Sequence, residues 1–172
     1  MLDSTRVNAN PFAYGAGHVQ PNHAVDPGLV YDLNITDYTN YLCNRGYKGS
    51  RLTIFNGKRY ICPKSFNLLD FNYPSISIPN LKIGNSLNVT RTLTNVGSPS
   101  TYKVHIQAPH EVLVSIEPKV LNFKEKGEKK EFRVTFSLKH LTNNSTDYVF
   151  GSLDWSDCKH HVRSSIVIKP QK

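Results

Sequence analysis

The chain has 172 residues, 38% of them hydrophobic and 20% charged, which supplies a packed core and excludes wholesale disorder. It contains no run of 18 or more apolar residues, so no helical membrane span is expected. The formal net charge is +8, yet basic residues gather no further than pairs such as Lys129-Lys130, with acidic residues among them; this diffuse charge excludes the basic stripe of a nucleic-acid reader.

The opening residues, MLDSTRVNANPF, lack a basic stretch followed by an apolar one and do not read as a secretory signal. Residues 1–66 are rich in Asn, Gly and Pro, with long loops. Within them, NPFAYGAGHVQPNHAVDPGLVYD joins a turn at Gly15 and Gly17, a histidine at His18, and Asp26 before Pro27-Gly28. The combination resembles an active-site loop, but His18 and Asp26 come without a nucleophile, and a triad is recognised by roles and geometry together. The glycines and Pro27 suit tight scaffold turns. One helix is predicted over TDYTNYLCNRGY, with Thr36 as N-cap, Asp37 in the first turn and Gly46 as the stop. Tyr38, Tyr41, Leu42 and Cys43 fall near one face of it.

From residue 73 the pattern changes to period 2. In LNVTRTLTN, Leu87, Val89, Arg91 and Leu93 alternate with polar residues. Tyr102, Val104 and Ile106 share one face, as do Phe132, Val134 and Phe136, and VLVSIEP, FGSLDWS and HHVRSSIVI alternate likewise. Alternation marks strands with one buried face, and turn signals at residues 95–99, 108–109 and 126–128 separate them. Seven or eight such strands predict an antiparallel β-sandwich. Trp155, the single tryptophan, reads as a core anchor.

Three groups of residues carry possible chemistry. WSDCKHH holds Asp157, Cys158, His160 and His161, which are metal-ligand types; adjacent histidines on a strand point to opposite faces, so no metal site is assigned. Three cysteines, Cys43, Cys62 and Cys158, leave one thiol over if the other two pair. Four glycosylation sequons begin at Asn34, Asn88, Asn143 and Asn144, and they point to a secretory history. Asn88 falls on the polar face of its strand.

The ordered set PFAYGAGHVQPNHAVDPGLVYD, DYTNYLC, FNYPSISIP, VTRTLTNVG, STYKV, GEKKEFRVTF, FGSLDW and HHVRSSIVI resembles the C-terminal part of plant subtilisin-like serine proteases. The resemblance implies a mainly β chain: residues 1–66 would be the tail of a subtilisin-type catalytic domain, and residues 67–172 a fibronectin type III-like sandwich. The catalytic Asp, His and Ser contexts of that family, and its oxyanion asparagine, have no counterpart here, so no catalytic, cofactor-binding or metal-binding residue is expected. The start of the chain then reads as a truncation downstream of the family's signal and propeptide. The resemblance further implies that Cys43 and Cys62 pair; apart from it they are two unrelated thiols. It makes the expected partner a catalytic domain normally in the same chain, with no nucleic acid or membrane involved, and the expected location extracellular. Residues 1–66 are expected to lie loosely on the sandwich. The alternative function is a stand-alone extracellular module held by its positive charge on acidic cell-wall polysaccharide.

Overall fold

The computed structural model describes residues 6, 9–140 and 147–172. The period-2 segments form β2 (Ser75–Lys82), β3 (Ser86–Asn95), β4 (Ser100–Gln107), β5 (Val112–Glu117), β6 (Val120–Phe123), β7 (Lys129–Leu138), β8 (Val149–Ser156) and β9 (His161–Gln171). A further two-residue strand, β1 (Leu29–Val30), comes from the N-terminal segment. Two sheets result, ordered β1-β3-β7-β5 and β2-β9-β8-β4-β6. The alternation explains the layering: Val89 and Leu93 of β3, Phe132, Val134 and Phe136 of β7, and Leu153 and Trp155 of β8 are all buried in one cluster. The Trp155 ring meets Phe132 edge-on, with centroids 5.2 Å apart. A fully buried side chain of this size contributes roughly 2–3 kcal/mol through removal of apolar surface from water.

One strand pair departs from the antiparallel expectation. β2 runs parallel to β9, with Ser75 opposite Ser165 and Ile78 opposite Ile168. Parallel neighbours need a long crossover, and the rest of the sandwich lies between these two in sequence. Period 2 reveals a strand but not the direction of its partner.

The N-terminal segment also differs from its sequence reading. The helix covers Ile35–Asn44, and its N-cap is Asn34 rather than Thr36. Asn34 Oδ1 accepts from the backbone N–H of Thr36 and Asp37, while Asp37 Oδ2 accepts from Asn34 N–H at 2.9 Å. This is a reciprocal capping box, which needs an acid three residues after the cap, and only Asn34 provides that spacing. The C-cap is Arg45, one residue before the expected Gly46. Three helical segments went unpredicted: single turns at Pro11–Tyr14 and Pro21–Ala24, and a two-turn helix at Ser50–Asn56. The last of these buries Leu52 completely.

The segment between the helices and the sandwich is held by side chains. Asp70 Oδ1 accepts from Thr90 N–H at 2.8 Å. Asn72 Oδ1 accepts from Thr92 N–H at 2.8 Å, and its Nδ2 donates to Thr92 O at 2.9 Å. These contacts occupy the edge of β3 where no strand pairs, and β1 continues along the same edge, with Val30 opposite Thr94 and Leu29 opposite Asn95. An edge left bare would invite pairing with another chain. Arg91, placed by its alternation on the apolar face, is 4% exposed. Its guanidinium donates to the carbonyls of Leu69, Tyr73, Ser75 and Thr90, which satisfies a buried cation with no carboxylate in salt-bridge contact among the described residues. Burial still lowers its pKa from the ordinary arginine value.

Candidate functional site

The N-terminal segment meets the sandwich at Gly28. Its φ is +72°, a left-handed conformation that glycine adopts without steric cost. A Cβ here would collide with the Tyr102 hydroxyl and lie 2.8 Å from His160 Cγ. Gly28 O accepts from the N–H groups of Val96 and Gly97 at 2.9 and 3.2 Å. The following residue, Leu29, is 2% exposed and belongs to the sandwich core. The Asp26-Pro27-Gly28 turn is therefore a joint between the two parts of the chain.

Electrostatics reinforce this joint. The turn between β8 and β9 presents Asp157, Lys159 and His160. Asp157 Oδ1 accepts from the backbone N–H of Lys159 and His160 at 3.0 and 2.7 Å, and its Oδ2 accepts from Ser100 Oγ at 2.9 Å. His160 Nδ1 lies 3.0 Å from Asp157 Oδ2. The opposite ring nitrogen, Nε2, sits 3.2 Å from Asp26 Oδ2 without a hydrogen bond, so the contact is an ion pair when the imidazole is protonated. Lys159 Nζ reaches the same Asp26 oxygen at 2.6 Å. One imidazole thus lies between two carboxylates that are distant in sequence, and it clamps the segment to the sandwich.

The titration of these groups follows from their contacts. Burial would raise the Asp157 carboxyl, but its hydrogen bonds from the His160 ring and backbone, from Ser100 and from Lys159 hold it well below the usual carboxylate range. The Asp157 hydrogen bond raises His160 above its ordinary value, against the opposing effect of burial. Lys159 lowers Asp26 foremost, with His160 second. Burial, then the Asp157 charge, raises the Tyr102 phenol.

A carboxylate–imidazole pair is also part of the apparatus of nucleophilic catalysis. Here Nε2 meets a second carboxylate where a hydroxyl or thiol would have to stand. Tyr102 Oη, 3.3 Å from Nδ1, is a phenol held protonated, and Ser100 Oγ is committed to Asp157. The arrangement can bind and orient charge; among the described residues it presents no activated nucleophile.

The structure separates the other residues singled out in the sequence. His160 and His161 diverge: His161 Nδ1 lies 2.8 Å from Asp154 Oδ2. Cys158 is an exposed free thiol at φ +74°, in the region that favours glycine. Cys43 and Cys62 form a disulfide with Cα atoms 5.7 Å apart. Asn34 and Asn88 are exposed, and both use Oδ1 as an acceptor, the latter from Thr135 Oγ1 at 2.8 Å; neither role occupies the Nδ2 that a glycan would take. Asn143 and Asn144 lie outside the described residues. His18 and Asp26 line a common open cleft of about 690 Å³ with His23, His160, His161 and Arg163. Beyond the separate histidines, that cleft leaves no signal in the sequence.

Fold and joint together define the class of protein. Residues 70–168 match the fibronectin type-III domain family, and the chain belongs to that family. Over nearly its whole length it is similar to the C-terminal part of plant subtilisin-like proteases. It is 50% identical over 169 residues to the subtilisin-like protease SBT5.3 of Arabidopsis thaliana, covering 97% of this chain and 22% of that protein. It is 49% identical over 170 residues to SBT5.4 of the same organism, covering 98% and 21%. The chain therefore spans about a fifth of the length of the curated relatives it matches.

Proposed function

We propose that this chain is the non-catalytic C-terminal portion of a subtilisin-like serine endopeptidase, in which residues 1–66 finish the catalytic domain and the sandwich of residues 67–172 braces it. The distribution of apolar surface carries this reading. Of the sixteen large hydrophobic side chains exposed among the described residues, ten lie between Phe12 and Ile61. Val19, Val25, Ile54 and Ile61 are each more than 80% exposed. A segment that holds Leu29 in the sandwich core yet turns so many apolar groups outward fits a missing neighbour. The catalytic domain that the relatives carry in the same chain is that neighbour. Asn34 and Asn88 carry glycans in this account, Cys43 and Cys62 pair in an oxidising compartment, and the working location is extracellular.

A chimera tests the brace. The corresponding C-terminal part of a full-length relative is replaced by this chain, and the thermal inactivation half-life of the protease is measured. The expected result is an active enzyme whose half-life shortens severalfold when Asp26→Ala and His160→Ala open the joint. An unchanged half-life would refute the bracing role. In parallel, this chain alone is expected to leave casein intact and to take no label from a serine-reactive fluorophosphonate.

A further inference from the structure

His160 meets a carboxylate on each side of its ring. Its Nδ1 lies 3.0 Å from Asp157 Oδ2, and its Nε2 lies 3.2 Å from Asp26 Oδ2. A neutral imidazole carries one N–H; only the imidazolium carries two. With the single proton on Nδ1, the Nε2 lone pair meets the Asp26 carboxylate. With it on Nε2, the Nδ1 lone pair meets Asp157. The Tyr102 hydroxyl, 3.3 Å from Nδ1, stays protonated and can donate only to a bare Nδ1, which removes the ring's hydrogen bond to Asp157. The His160 side chain is 12% exposed, and Nε2 is buried without a hydrogen-bond partner, so little water reaches the ring. Only the protonated ring suits both carboxylates. Asp157 foremost, and Asp26 as well, raise His160 above its ordinary value against burial.

The two contacts are not equally firm. Asp157 belongs to the same turn as His160 and accepts from the backbone N–H of Lys159 and His160 and from Ser100 Oγ, so it keeps its place whatever the charge of the ring. Asp26 comes from the N-terminal segment. Its other cation, Lys159, has a side chain 72% exposed, and an exposed pair of this kind contributes little. Among the described residues no ion pair joins His160 to His18, His23, His161 or Arg163, which line the same cleft. Loss of the ring proton therefore falls on the Asp26 contact, where an ion pair becomes a lone pair beside a carboxylate. We propose that the proton on His160 is a latch: while the ring holds it, residues 26–31 stay docked on the sandwich, and once it is lost they come away more readily. The latch lies between residues of this chain and stands whether or not the sandwich braces a catalytic domain.

The test uses the whole chain. The His160 ring is titrated by NMR in the parent and in Asp26→Asn. Hydrogen exchange at Val96, whose N–H donates to Gly28 O at 2.9 Å, is converted to a protection factor at about pH 5 and about pH 9. The Asp26 carboxyl stays ionised throughout, since its own pKa lies below 3.8. Binding free energies are reciprocal, so whatever docking adds to the proton affinity, the proton adds to docking. Asp26→Asn should lower the proton affinity of His160 by about threefold or more. In the parent, Val96 protection should fall by at least that factor from the lower pH to the higher, and Asp26→Asn should shrink the fall by the same factor. His160→Gln should hold Val96 protection within about twofold across the interval, while His161→Gln, which removes the imidazole paired with Asp154, should keep the parent's fall within about twofold. Identical titration of His160 in the parent and Asp26→Asn, equal Val96 protection at the two pH values, or a fall that Asp26→Asn leaves whole would overturn the proposal, as would a fall lost in His161→Gln and kept in His160→Gln.

Discussion

Replacing Gly28 by alanine strikes the joint with a single methyl group. At φ +72° an L-residue costs about 1–2 kcal/mol relative to its ordinary conformations. The new Cβ would also overlap the Tyr102 hydroxyl and lie 2.8 Å from His160 Cγ and 3.0 Å from its Cβ. Tyr102 is 1% exposed and edge-packed on Phe123 at 6.0 Å between centroids, so it has little room to yield. Overpacking of such a site costs about 1–3 kcal/mol, and the two effects together predict a loss of about 2–5 kcal/mol. Urea unfolding followed through the single buried Trp155 measures it; with a slope of about 2 kcal/mol/M, the midpoint should fall by about 1–2.5 M. Gly127→Ala is the control. Its φ is +87° and no atom lies within 4 Å of the added carbon, so it should show the conformational strain alone. If Gly28→Ala lowers the midpoint no more than Gly127→Ala does, the close packing at the joint stabilises nothing and the reasoning fails.

Three further expectations follow from the same contacts. The His160 pKa is raised from 6.5 and that of Asp157 is lowered from 3.8. The histidine's contribution is therefore complete below pH 6.5 and lost as pH rises through the raised value, and the aspartate's is complete above pH 3.8 and lost as pH falls through the lowered one. Stability should fall on both sides of that interval, and His160→Gln should remove the alkaline decline; a parent chain with equal urea midpoints at pH 5 and about pH 9 would contradict this. Opening the Cys43–Cys62 loop, whose ends are 19 residues apart, should destabilise the helical segment by about 3 kcal/mol in the chain-entropy account; unreduced peptide mapping that links Cys158 to either partner would refute the pairing. Secretory expression should add glycans at Asn34 and Asn88, each removable by an endoglycosidase with the corresponding mass loss, and an Asn88→Gln variant of unchanged mass would exclude that site.

Much of the sandwich was legible because one inner face repeats every second residue: the alternation through Val89, Arg91 and Leu93, and through Phe132, Val134 and Phe136, gives the inward side chains directly. The same pattern placed Arg91 inside without showing how its charge is satisfied, since two of its four carbonyl partners, those of Leu69 and Tyr73, belong to the segment before β2. The cap at Asn34 was readable from the Asn-x-x-Asp spacing, but Thr36 competes as an ordinary capping residue. The Ser50–Asn56 helix buries little beyond Leu52, too little to leave a period of 3.6. Least legible was the joint. Asp26 and His160 stand 134 positions apart, and no local rule pairs them; the glycine packed against His160, Gly28, was recognisable only as a turn residue. The cleft was hidden for the same reason, its histidines lying in two stretches that no periodicity connects.

The hold of the sandwich on residues 26–31 underlies both the proposed bracing and the cleft, and hydrogen exchange reads it directly. The amide of Val96 donates to Gly28 O and lies beyond the last residue of β3, so its protection depends on the segment staying in place, while that of Gly97 is shared between Gly28 O and Asn95 Oδ1. The account predicts that they exchange slowly, at rates near those of the β3 and β7 amides, while amides of residues 16–19 exchange near the unprotected limit. Exchange at Val96 and Gly97 as fast as at residues 16–19 would show that the segment leaves the sandwich freely, and would contradict the account.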